Sequence, residues 1–231
     1  MRLFSEVLGY ELQYWIYLPD GDGHGLPELY FTDGQGFLAA GGMAELLDRE
    51  IAASRIAPLT AIFVDSRSPG EPELDRRNEQ FMCNADYARF FLQELMPAVS
   101  AAWTGADAGT RRGLAGVSFG AINAACFGVM MPGVFDVLIL HSPGSDRHIE
   151  VVRELYADRP RQPSAFIISH GGRLDNAGAA EAFAETLEGK GYPVRRLAND
   201  GLHDWAAWRP LLAEGLRAFA GQQAGDRIDG E

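Results

Sequence analysis

From residue 28 to residue 220, short apolar runs bounded by turn residues alternate with longer segments of helical spacing, and no other feature limits the fold as much. The runs lie at Glu28–Thr32, Thr60–Val64, Leu114–Val117, Val134–Leu140, Ala165–Ser169 and Val194–Leu197. Helical spacing covers about Phe37–Ser54, Ala85–Trp103, Ala121–Met130, Ile149–Ala157, Ala177–Lys190 and Trp205–Ala220. Continuous apolar runs suit strands covered on both faces, so the alternation predicts a mostly parallel sheet between two helical layers, class α/β. Ahead of it, polar and apolar residues alternate over about Arg2–Leu8 and Glu11–Leu18 on either side of Gly9, which predicts an antiparallel hairpin at one edge. Such a sheet places ligands at the carboxyl ends of its strands. Residues just after each strand are therefore the ones to search for chemistry.

The chain has 231 residues, 47% apolar and 23% charged, enough for one large core. One domain is expected over 1–220, a frayed tail over 221–231, and a surface loop over the Pro-, Gly- and charge-rich Ser66–Arg77. A formal charge of −12 without any Lys/Arg-rich run argues against a nucleic-acid or anionic-membrane surface. No stretch approaches the roughly 20 apolar residues of a membrane span, and Met1–Glu6 does not read as a signal peptide. Cys83 stands among polar residues and Cys126 in an Ala/Gly/Met-rich run, so both are read as free thiols of a cytoplasmic protein.

Gly116-Val117-Ser118-Phe119-Gly120 ends one apolar run and opens the helical segment from Ala121. A tight strand-to-helix turn leaves no room for side chains two places either side of the serine, and it projects the hydroxyl into the crevice. Ser118 is the expected nucleophile, with the Phe119 amide at a helix start placed to receive an oxyanion. A serine nucleophile needs a base. His203 follows the last strand and precedes the last helix, as the order serine, acid, histidine requires. His141 and His170 also follow strands and remain candidates for substrate contacts, whereas His24 and His148 read as solvated. Asp175, between the strand Ala165–Ser169 and the helix from Ala177, is the expected acid that orients the histidine, with Asp146 in reserve and a helix-capping role as the rival reading.

These residues resemble the enterochelin esterase and esterase-D-like branch of the α/β-hydrolases, which includes S-formylglutathione hydrolase and secreted mycolyltransferases. The marks are Leu29–Gly36 (LYFTDGQG), Arg77–Asp86 (RNEQFMCNAD), Glu94–Pro97 (ELMP), Gly113–Gly120 (GLAGVSFG) and His203–Arg209 (HDWAAWR), the last most like siderophore-hydrolysing members. The resemblance implies an α/β-hydrolase fold without a large cap, and a second oxyanion donor in the Gln35 amide. It also implies a pair near the site, Arg77 and Glu79, which reads equally as a surface ion pair. Ala121 departs from the second glycine of many relatives, and the N-terminal domain of cytoplasmic ferric enterochelin esterases has no counterpart here.

The expected activity is serine esterase chemistry on a small-molecule ester, a catecholate trilactone being one substrate. Trp205 and Trp208 would form a wall, and Arg173 and Arg147 local positive charge; core tryptophan and solvated arginine are the plain alternatives. No cofactor or metal is called for. Acyl transfer or thioester cleavage by the same three residues, and a binding protein that has lost its chemistry, are the competing readings.

Overall fold

The computed structural model describes residues 1–231 except 22–23, 173, 223–227 and 229–231. The strands are β1 (Arg2–Ser5), β2 (Tyr10–Tyr17), β3 (Glu28–Thr32), β4 (Thr60–Val64), β5 (Arg67–Ser68), β6 (Glu71–Asp75), β7 (Arg112–Val117), β8 (Val137–His141), β9 (Ala165–His170) and β10 (Val194–Ala198). Eight of them form one sheet in the order β1-β2-β4-β3-β7-β8-β9-β10. All neighbours from β4 to β10 are parallel, and the β1–β2 hairpin, turning at Gly9 with φ 77°, adds the antiparallel edge that alternation in the first residues predicts.

The inner parallel strands β3, β4, β7, β8 and β9 bury side chains on both faces, which is why their sequences read as apolar runs, whereas β10 at the edge is largely half-buried or exposed. Tyr30, Leu114, Leu138, Leu140, Phe166 and Ile168 point into one core. Phe31, Ala115, Val117, Ile139 and Ile167, their chain neighbours, point into the other. The first core is covered by α4 (Ala85–Phe90), α5 (Met96–Val99), α6 (Phe119–Met130), α7 (Asp146–Asp158) and α8 (Ala177–Gly189). The second is covered by α1 (Gly34–Ala39), α2 (Met43–Ala52) and α9 (Trp205–Ala220). Among the described residues no helix is long and apolar enough to cross a membrane.

Four local expectations need correction. The helix expected over Phe37–Ser54 is two helices, because Gly42 adopts φ 62° and breaks it. The surface loop expected over Ser66–Arg77 is a hairpin of β5 and β6 leading into a helical turn, α3 (Arg77–Gln80). Of the tail expected over 221–231, Gly221 bridges to Ile56 and Gln222 donates its amide to the Arg55 carbonyl, while 223–227 and 229–231 lie outside the described residues. Cys83 and Cys126 are joined as a disulfide with Cα atoms 5.0 Å apart. The polar surroundings of Cys83 in the sequence hide that its loop packs on α6, and free thiols no longer support a reducing compartment.

Candidate active site

The turn after β7 is built by its glycines. A Cβ on Gly116 would overlap the Gly120 carbonyl, and one on Gly120 would lie 2.9 Å from Thr32 Oγ1 and 3.1 Å from Asp33 Oδ2. With no side chains there, the chain reverses at Ser118, which is held at φ 53°, ψ −121°. The Ser118 amide donates to the His141 carbonyl at 2.9 Å, and the Ser118 carbonyl accepts from Gly144 at 2.9 Å. These ties hold an unfavourable backbone geometry of a kind that persists only when its surroundings enforce it.

His203 meets the hydroxyl so presented: its Nε2 lies 2.8 Å from Ser118 Oγ. Its Nδ1 is hydrogen-bonded to Asp175 Oδ1. A carboxylate can only accept, so Nδ1 carries the proton and Nε2 accepts from the serine. Asp175 is fully buried; its Oδ2 accepts from Ser142 Oγ at 2.6 Å and from the Gly171 amide. Burial alone would raise the Asp175 carboxyl, yet the hydrogen bonds from His203, Ser142 and Gly171 outweigh it and hold the group below its usual range. The Gly172 amide donates to the Gly201 carbonyl at 2.8 Å, fixing the loop of Asp175 to the loop of His203. Asp204 caps α9 by accepting from Ala207 at 3.0 Å, and the Trp208 ring stands edge-on to His203 with centroids 5.1 Å apart.

Two chambers flank Ser118. The larger, about 680 Å³, is walled by Met82, Phe119, His148 and Leu174 with Asn78 and Asn176 as polar members. The smaller, about 320 Å³, lies towards Gln35, Trp205 and Trp208. Arg77 borders both. Among the described residues, neither the Gln35 nor the Phe119 amide donates to any protein acceptor, so both N–H groups at these helix starts are available.

The other residues singled out from the sequence separate. Trp205 lines the smaller chamber. Arg77 does not pair with Glu79: its Nε donates to both Asp33 oxygens at 2.9 and 2.8 Å, while Glu79 is exposed and contacts Arg76 at 3.5 Å. His141, expected among substrate contacts, is 3% exposed and bonds Ser169 Oγ at 2.8 Å through Nδ1, off the crevice. Burial lowers its ring to about 4, so it is neutral. His170 contacts Glu181 at 2.7 Å. Asp146 is exposed in the first turn of α7, and Arg147 follows it, also exposed. Arg173 lies outside the described residues.

Sequence reasoning missed three members. Ser142 follows β8 just as Ser118 follows β7, and that strand-end position was its one available signal. His148, read as solvated, lies tilted against Phe119 with ring centroids 4.9 Å apart and walls the larger chamber. Asp33 was seen only as part of a turn. It has φ 57°, and burial pushes its carboxyl up to about 6 against the pull of the Arg77 guanidinium.

A glycine-flanked serine turn after an inner strand of a mostly parallel sheet, with an aspartate and a histidine from later strand ends, is the arrangement of an α/β-hydrolase fold. The family described as "Putative esterase" matches residues 5–219, and the chain belongs to this esterase family, a family of carboxylic ester hydrolases. The uncharacterised YjcH protein of Bacillus subtilis is 23% identical over 227 residues, covering 94% of each chain. The iron(III) enterobactin esterase of Yersinia enterocolitica is 28% identical over 133 residues, 57% of this chain and 36% of that protein. Among solved structures, the enterobactin esterase of Shigella flexneri superposes with a TM-score of 0.80 at 23% identity, covering 94% of this chain and 57% of that one. The chain thus spans little more than half the length of that esterase. These matches bear out the resemblance to the enterochelin esterase branch.

Proposed function

We propose that Ser118, His203 and Asp175 act together as nucleophile, base and orienting acid, and that the chain hydrolyses a small-molecule carboxylic ester through an acyl-enzyme. The observation that carries this reading is the unbroken hydrogen-bond path from Ser118 Oγ through both ring nitrogens of His203 to Asp175. His203 takes the hydroxyl proton as Ser118 attacks the ester carbonyl, and the amides of Phe119 and Gln35 hold the oxyanion. The alkoxide leaves with the proton from His203. Water then gives up a proton to the same nitrogen and releases the acid, restoring Ser118.

The larger chamber, about 680 Å³ and open at exposed Leu174, suits a bulky group on one side of the ester, and a siderophore ester of the catecholate trilactone kind is the first substrate to try. Trp205 is the substrate-side residue in this reading, Arg77 borders both chambers while bound to Asp33, and 1–220 is the unit that carries the activity. A cytoplasmic location belongs to the proposal only if Cys83 and Cys126 are found reduced in the cell; a persistent disulfide there moves the protein to an oxidising compartment.

Turnover of p-nitrophenyl acetate, p-nitrophenyl butyrate and a catecholate trilactone by wild type and Ser118→Ala tests the reading. It predicts that Ser118→Ala abolishes all three activities, with the trilactone preferred in kcat/KM. Small-ester turnover alone removes the substrate assignment, and an active Ser118→Ala removes the mechanism.

A further inference from the structure

Asp33 is a carboxylate in an awkward place. It is 5% exposed and sits in the turn whose next residues are Gly34 and Gln35. Its carboxylate also reaches across to the nucleophile turn: Oδ2 lies 3.1 Å from the point a Cβ of Gly120 would occupy. It therefore stands between the two turns that carry the Gln35 and Phe119 amides. A Cβ on Gly34 would overlap the backbone of Phe63 and Val64, so the turn is pressed against the end of β4.

The charges facing Asp33 come from one neighbouring segment. Asp65 is neutralised by Arg67 through two contacts at 2.9 Å. Asp75 accepts from Ser66 Oγ at 2.8 Å and from the Arg77 amide at 2.9 Å. Arg77 supplies the cation for Asp33, with Nε on both carboxylate oxygens and a further contact from Nη2 to the Val117 carbonyl at 3.5 Å. Its plane also lies over the Phe81 and Phe119 rings, 5.6 and 5.7 Å from their centroids. An arginine so engaged is fixed by the protein before any ester arrives.

We propose that Arg77 is a positioning residue that acts through Asp33: its guanidinium cancels the charge of a buried carboxylate lodged behind the oxyanion donors, and no contact of Arg77 with the ester is needed for the rate. An ester carbonyl gains negative charge as the serine adds to it. An unpaired carboxylate beside that oxygen would oppose the gain in a site of low dielectric, where such interactions are strong. Burial already pushes the Asp33 carboxyl up to about 6 with Arg77 present, so it is ionised at the pH of an esterase assay and its charge is real. The inference rests on the reading of Ser118 as nucleophile and of Gln35 and Phe119 as donors.

The test is a double-mutant cycle of Arg77→Met and Asp33→Asn, with kcat and KM for p-nitrophenyl acetate followed from about pH 7 to about pH 9.5 and Ser118→Ala as control. Asparagine tolerates the left-handed backbone of residue 33, so Asp33→Asn removes the charge without straining the turn. Arg77 is what lowers the Asp33 carboxyl, so its loss raises that carboxyl further. Arg77→Met is expected to lower kcat about 10- to 100-fold at the alkaline end, where Asp33 is ionised, and less at the acid end, with KM within about twofold of wild type, an effect on transition-state charge alone. Adding Asp33→Asn is expected to return kcat to within about fivefold of wild type, since neither charge then remains. If Arg77→Met does not fold, Arg77→Lys replaces it, and the retained charge is expected to keep kcat within about tenfold. A double variant as slow as Arg77→Met, a loss that falls on KM, or an Arg77→Lys that loses more than about tenfold in kcat overturns the inference. An active Ser118→Ala would instead remove the reading on which it rests.

Discussion

The Ser142 hydroxyl donates to Oδ2 of Asp175 at 2.6 Å, tying the end of β8 to the loop that follows β9. With the Gly171 amide on the same oxygen, Oδ1 is left for His203 alone. Ser142→Ala removes one of the bonds that hold the Asp175 carboxyl low, so that carboxyl rises and is protonated at higher pH. The expected outcome is a kcat about five- to twentyfold lower, on the scale of one charge-assisted hydrogen bond, with the acid limb of the kcat/KM profile moved to higher pH. An unchanged acid limb would mean that Ser142 only packs.

Ser118 at φ 53° and ψ −121° occupies backbone space that a side chain disfavours. Ser118→Gly relieves that strain while deleting the proposed nucleophile. Calorimetry should find it more stable than wild type by about 1 kcal/mol, partly offset by the greater freedom of glycine in the unfolded chain. A melting temperature well below wild type would contradict a site held under strain.

His141 carries the clearest pH signature in the fold. Its ring, lowered to about 4 by burial, stays neutral in the folded protein while the unfolded chain takes up a proton near the ordinary histidine value. Between about pH 6.5 and pH 4 the unfolded state therefore binds more protons, and stability falls as pH falls through that window. The loss attributable to this one residue is up to about 3 kcal/mol. Denaturant melts of wild type and His141→Gln across pH 4–7 check it, the variant being expected to lose much of the slope.

The Cys83–Cys126 bond closes a loop of 43 residues between the segment carrying Arg77 and the helix behind Ser118. Reduction frees that loop in the unfolded chain and should lower stability by about 4 kcal/mol in the loop-entropy account. Melts with and without a reductant measure it directly, and equal melting temperatures would show that the bond is absent in the protein tested.

Much of the architecture could be read from near-neighbour patterns. The parallel core was legible because two-sided burial writes itself into each run from Glu28–Thr32 to Ala165–His170 as unbroken apolar sequence. Ser118 was legible because the sterics of its turn act within five residues, from Gly116 to Gly120. The break at Gly42 and the β5–β6 hairpin escaped because their sequences are compatible with more than one local structure, and packing chose between them. His203 was matched to Ser118 and Asp175 by its order in the chain, but other partners distant in sequence escaped. Arg77 reaches Asp33 across 44 positions rather than Glu79 across two, and Cys83 finds Cys126.

The sequence by itself determined the class of sheet, the edge hairpin and the strained serine turn, since hydrophobic period and backbone sterics are local properties. Tertiary structure decided which aspartate meets His203, which carboxylate Arg77 neutralises and which histidine walls the chamber. Those choices depend on strand order: with β4, β3, β7, β8 and β9 side by side, the turns after residues 32, 64, 117, 141 and 170 converge at one edge of the sheet. Asp33, Ser118, Ser142 and Asp175 belong to that edge, and His203 reaches it from the turn after β10. No pattern within a single segment encodes that meeting, because it is fixed by the packing of the whole sheet.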